Sequence, residues 1–242
     1  MWVSENRSLP FNQQQLHKNI QVPIENFVVR GKVLKEHRLT NLRRRVAREA
    51  ATLLYTSQEK EYKQAKKRAA KTLKARVLPS NLEVAEELDK IAEQKERSSR
   101  RDLLLRMRKE GLEIMKTLKG FNPRLVGSVW RGTAHKNSDI DIIAFSQDPK
   151  TVIDQLKKAG YDVTSSEWRS VTRRGKKESS FHIHVALFSG DEVEVTVRAP
   201  DALARERHVE KCEIYGDDVT GLNLPQLLKI LKERPFEKFV PT

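Results

Sequence analysis

The chain has 242 residues, 38% hydrophobic and 33% charged, enough to bury a core without disulfide or metal staples. Its single cysteine excludes an internal disulfide framework and points to a reducing, cytoplasmic setting. No apolar run reaches the roughly 18–20 residues of a membrane span, and the polar N-terminus lacks the apolar core of a secretion signal. The net charge of +14 is unevenly spread: residues 30–76 hold 16 basic and 4 acidic residues, whereas residues 121–242 are within one charge of neutral.

Pro10, the run Gln13-Gln14-Gln15 and Pro23 argue against a long element in the first forty residues, with room for a short strand between Ile24 and Leu34. From Asn41 the spacing of Leu42, Val46, Ala50, Leu53 and Leu54 predicts a helix. A second helix is expected from Ser57 to Leu73, with a thin apolar stripe of Tyr62, Ala65, Ala69 and Leu73. Ser80 and Glu83 have capping-box spacing and start a third. The polar stretch Glu96 to Arg101 is the best boundary, giving a basic, mainly helical region 1–98 and a second domain 99–242. A fourth helix follows, with Leu104, Met107, Gly111, Met115 and Leu118 on one face and a stop at Gly120.

Beyond Gly120 strands are expected at Arg124–Val126 and Ile140–Phe145. Asp148-Pro149 opens a helix that Gly160 ends. Tyr161–Thr172, Ser180–Phe188 and Glu192–Arg198 read as strands, joined as antiparallel hairpins near Gly175 and Gly190. Leu224, Leu227, Leu228 and Leu231 form the apolar face of a last short helix. The fold class is α+β: a mixed sheet with flanking helices, preceded by a basic helical region.

The chemistry is concentrated in Leu125-Val126-Gly127-Ser128 and in Asp139-Ile140-Asp141. Strand alternation sends Asp139 and Asp141 to one face and Ile140 and Ile142 to the other. Two such carboxylates repel each other unless a cation intervenes, and oxygen donors with room for water and phosphate suit Mg²⁺. Gly127 lets the backbone approach a phosphate, with the Ser128 hydroxyl as a donor.

Gly127-Ser128, ten intervening residues and Asp139-Ile140-Asp141 resemble the signature of the polymerase-β-like nucleotidyltransferase superfamily. The resemblance covers roughly residues 103–198, and Arg131-Gly132-Thr133 looks like the Arg-Gly-(Ser/Thr/Ala) that many members carry after Gly-Ser. It implies a third carboxylate on a later strand. Glu192 and Glu194 are both candidates, and Glu194 is preferred because it lies between two valines; many members have Asp here. It also implies in-line attack by an acceptor hydroxyl on the α-phosphate of a nucleoside triphosphate. Asp139, Asp141 and Glu194 would be the catalytic and metal-holding residues for two Mg²⁺ ions, and Gly127, Ser128 and Arg131 would contact the nucleotide. A basic residue from Arg173 to Lys177 could also reach phosphate.

Trp130 is a candidate for base stacking or for core packing. His182 and His184 alternate on a strand and share a face, which could be the carboxylate face. Zinc is disfavoured, because His208 and Cys212 have no recognised site spacing. Arg43, Arg44, Arg45, Arg48, Lys63, Lys66 and Lys67 form a surface expected to track a phosphate backbone, making RNA the expected partner. Three functions remain open on these residues: transfer to an RNA end, transfer to a small molecule or protein side chain, and a non-catalytic RNA-binding module.

Overall fold

A computed structural model describes residues 24–173, 176–201 and 211–241, with side chains described for 39–170, 179–201 and 211–241. The first element, α1 (Ile24–Tyr55), is a single 32-residue helix. The strand expected at Ile24–Leu34 is therefore helical. After Pro23 no proline interrupts this segment, Gly31 costs a helix only about 1 kcal/mol, and extending a helix is cheaper than nucleating another element. By its contacts the chain divides into two compact units, Met1–Leu42 and Arg43–Thr242. Everything that follows lies in the second.

There α1 ends where Ser57 takes a positive φ of 56° and the amides of Gln58 and Glu59 turn back to the Leu53 carbonyl. That turn delays α2 to Tyr62–Thr72, later than the expected start at Ser57. Small buried residues (Ala47, Ala50 and Ala51 on α1, Ala65, Ala69 and Ala70 on α2) share one apolar cluster. The helix α3 (Asn81–Glu96) opens on the expected capping box: Ser80 accepts from the Glu83 amide, and Glu83 accepts from the Ser80 amide. One residue, Arg97 at φ 51°, separates it from α4 (Ser98–Thr117). The buried Arg100 donates back to Asp89 and Glu93 on α3 and forward to the Thr133 and Ala134 carbonyls.

A 3₁₀ turn at Lys119–Phe121 leads into β1 (Arg124–Val126), α5 (Gly127–Arg131) and β2 (Ile140–Phe145). Next come α6 (Pro149–Lys158), capped by Asp148 as expected, then β3 (Asp162–Arg173), β4 (Lys176–Ala186) and β5 (Glu192–Arg198). The described chain closes with β6 (Leu222–Asn223) and α7 (Leu224–Glu233). The sheet runs β3-β4-β5-β2-β1-β6, with β2 and β5 parallel and the other neighbours antiparallel. The fold is thus α+β, helices first and then a mixed six-stranded sheet with flanking helices.

The buried apolar residues form two clusters, one from residues 46–92 and one from residues 104–230. The second is the sheet's core. Gly111 lets α4 lie tightly across the sheet, since a Cβ there would meet Leu125 and Ile140 at 3.2 and 3.3 Å. No helix among the described residues is long and apolar enough to cross a membrane.

Candidate active site

The site grows out of the β1–α5 junction and the parallel pair β2/β5. Gly127 has φ 67°, and a Cβ there would overlap the Asp141 carboxylate. Glycine is required at this position by the backbone and by the neighbouring acid together. The sequence suggested a bare turn after β1. In the structure Gly127 and Ser128 instead open α5, which Gly132 ends at φ 74°. The buried Arg108 anchors that short helix by donating to the Val129 and Trp130 carbonyls, and holds the C-terminal segment through the Pro235 and Glu237 carbonyls. Burial lowers its pKa to about 10, so it stays charged near neutrality.

In the parallel register Asp141 lies beside Glu194, and Asp139 precedes the strand by one residue. Asp139, Asp141 and Glu194 each present an oxygen within 4.8 Å of the others. Asp141 is raised well above the usual carboxylate range by burial, then by Asp139 and Glu194. The Asp139 carboxyl is raised by desolvation and by Glu194 and Glu192, although the residue reaches solvent at the cleft mouth. Crowding of three hard oxygen donors fits a divalent cation of the Mg²⁺ type. Glu192 stays exposed at the start of β5 and is outside this cluster.

His182 and His184 share the carboxylate face. His182 Nδ1 lies 2.6 Å from Glu194 Oε1, and Arg169 Nη1 donates to the same oxygen at 2.9 Å. Arg169 escaped the sequence reading. Its position depends on the β3/β4 register, which shifts between Val163 and Ser165; the available signal was the alternation of Glu167 and Arg169.

Arg131, expected at the nucleotide, lines the same cleft and is largely buried. It makes a two-pronged ion pair with Asp217, donates to the Phe239 carbonyl, and lies between the Trp130 and Tyr215 rings. Its donors hold the C-terminal segment, and Trp130 is itself a packed side chain. The segment Arg174-Gly175, the side chains of residues 171–178, and His208 lie outside the described residues.

Gly127, Ser128, Asp139 and Asp141 line a cleft of about 1100 Å³. Lys60, Lys63, Asn81 and Lys211 also line it, beside Glu59, Glu61 and Glu213, and of these Lys60 and Lys63 belong to the basic stretch expected to meet phosphate. Of the remaining basic candidates, Arg43 pairs with Glu83 at 2.7 Å and Lys66 donates to Asn81, so both tie helices together. Arg44, Arg45, Arg48 and Lys67 are exposed.

Residues 109–202 match a family described as a domain of unknown function, DUF4269. No curated protein matches the chain. Among solved structures it is similar to Cid1 in complex with a UTP analogue (18% identity, TM-score 0.29, 40% of this chain). It is similar also to a cytoplasmic RNA terminal U-transferase (17% identity, TM-score 0.27, 39% of this chain). The aligned part spans 31% and 29% of those proteins. Over that stretch the chain is structurally similar to Cid1 poly(U) polymerase, a polymerase-β-like nucleotidyltransferase.

Proposed function

We propose that the chain is a Mg²⁺-dependent nucleotidyltransferase that moves a nucleoside monophosphate from a nucleoside triphosphate to an acceptor hydroxyl, with an RNA end as the acceptor. One observation carries this reading: Asp139, Asp141 of β2 and Glu194 of β5 bring oxygens within 4.8 Å of one another, and the two aspartates line a cleft together with the Gly127-Ser128 helix start. The acceptor oxygen forms its bond to the α-phosphorus while the bond to the bridging oxygen of pyrophosphate breaks.

Asp139, Asp141 and Glu194 would hold Mg²⁺, expected as two ions, which would supply positive charge for the developing negative charge on oxygen. Gly127 and Ser128 face the triphosphate with an amide and a hydroxyl. Glu194, oriented by His182 and Arg169, lies nearest the acceptor and receives its proton. The Lys60 and Lys63 ammonium groups offset phosphate charge from the cleft lining.

A catalytic domain at 99–242 and a helical region at 1–98 belong to this reading, supported by the two separate apolar clusters. A cytoplasmic setting belongs to it too, supported by the lone Cys212. The test is incubation with each labelled triphosphate, Mg²⁺ and pooled RNA, protein and metabolites. Label should enter the RNA fraction and vanish with Asp139→Ala plus Asp141→Ala. Label in the protein or metabolite fraction would reassign the acceptor, and no turnover together with no triphosphate binding would overturn the enzyme.

A further inference from the structure

A second groove, of about 1020 Å³, runs between α1, α3 and α4. Arg48, Thr52, Tyr55, Lys95 and Lys136 line it, and Lys136, on the loop that joins α5 to β2, also lines the catalytic cleft, so the two are neighbours there. Its charge is positive. Arg44 and Arg45 extend the basic face along α1 beyond the groove, and both are exposed. Among the described residues no carboxylate forms an ion pair with Arg44, Arg45, Arg48, Lys95 or Lys136. The one acidic residue of the groove, Glu96, is turned to the fold: it accepts from the Lys136 amide at 3.1 Å and from Tyr55. Tyr55 is buried beneath this surface, with Lys136 Nζ 5.0 Å above its ring and His135 tilted against it at 5.8 Å, and so holds Lys136 in place.

We infer that this groove holds the body of a single-stranded polynucleotide whose reactive end enters the cleft. The inference rests on the nucleotidyl-transfer reading and selects its acceptor. A small-molecule acceptor has no use for an open, cationic channel leading away from the carboxylates. A flexible polyanion does, because lysines and arginines track its phosphates. Chemistry stays with the carboxylates, and the groove decides what is brought to them.

The test measures binding of a fluorescent oligonucleotide of about ten residues, in ribo- and deoxyribo- forms, to the full chain. The comparison variant is Arg48→Glu with Lys95→Glu, two residues that line the groove and not the cleft. Affinity should fall at least about tenfold, and the slope of log K against log salt should flatten by more than about 1, near 0.7 for each lost phosphate contact. Triphosphate binding, measured in parallel by titration, should stay unchanged. The neutral pair Arg48→Gln with Lys95→Gln, checked by its melting curve, should lose an intermediate amount and guards against misfolding. The two probes separate RNA from DNA as the source of the strand. Unchanged oligonucleotide affinity in folded variants would overturn the groove, as would binding of a polyglutamate chain in place of either oligonucleotide. Loss of triphosphate binding in the unmutated chain, with oligonucleotide binding intact, would instead fail the transfer reading alone.

Discussion

At the scale of single residues the site is built on one glycine and one crowded acid. Gly127 combines a positive φ with direct contact to Asp141, so Gly127→Ala meets strain of about 1–2 kcal/mol and a steric overlap at once. The transfer rate should drop about 100-fold or more through displacement of Asp141, with the fold retained in circular dichroism. A melting point unchanged together with full activity would show that the close approach is dispensable. Asp141 is the opposite case, a residue that costs stability. Burial and two neighbouring acids disfavour its charge, so Asp141→Asn should raise the metal-free melting temperature by a few degrees, about 1 kcal/mol, while abolishing transfer. It should also remove most of the thermal stabilisation that added Mg²⁺ confers on the unmutated chain.

At the scale of elements, Arg100 links α3, α4 and the loop after α5. Its side chain is 5% exposed and makes ion pairs at 2.6 and 2.8 Å. Arg100→Ala strands the Thr133 and Ala134 carbonyls and removes two partly exposed ion pairs, and should cost about 2 kcal/mol in urea unfolding. One partner, Asp89, gives the network a pH dependence. Burial pushes its pKa up, but hydrogen bonds from Lys238 and Arg100 overcome this and hold it below the usual value. A depressed folded pKa means that this contribution is complete above the unfolded value near 4 and is lost as pH falls through the folded one. Asp89→Asn should therefore flatten the acid limb of a stability curve below about pH 4 and leave its shape at higher pH unchanged. Local chemistry announced much at this scale. Ser80 with Glu83, and Asp148 with Pro149, are caps written in adjacent residues, and the structure has both. The strand-like reading of Ile24–Leu34 and the missed helix at Gly127–Arg131 share a cause. Each is settled by what lies beyond its own window: the long helix downstream in one case, the Arg108 anchor in the other.

At the scale of the molecule, the cleft takes one wall from the acids of the sheet and a second wall from the α1–α2 turn and α2, where Lys60 and Lys63 stand beside Glu59 and Glu61. Reversing that second wall with Lys60→Glu plus Lys63→Glu should raise the KM for the triphosphate about tenfold while changing kcat little, because both residues are asked to supply ground-state charge and not transition-state contacts. Steady-state kinetics at varied triphosphate concentration measures it, and a kcat loss at unchanged KM would place these lysines in the chemistry.

The division between sequence and tertiary structure follows the range of the interactions. Alternation determined that Asp139 and Asp141 share a face, because a strand has a period of two whatever surrounds it. Charge counting determined that the positive excess belongs to the helical half. The flanking valines already favour Glu194 over Glu192, and the β2/β5 register adds the contact, setting Asp141 beside Glu194. The fate of the arginines was also a tertiary decision. Arg131 lines the cleft, and its guanidinium is fixed by Asp217 and Tyr215, distant in sequence, together with its neighbour Trp130. Arg48 looked like one cation among many, and it is the packing of α3 and α4 against α1 that makes it the wall of a groove. Spacing along the chain shows which groups an element can present, whereas the partner that neutralises or recruits a charge is chosen by contacts between elements far apart in sequence.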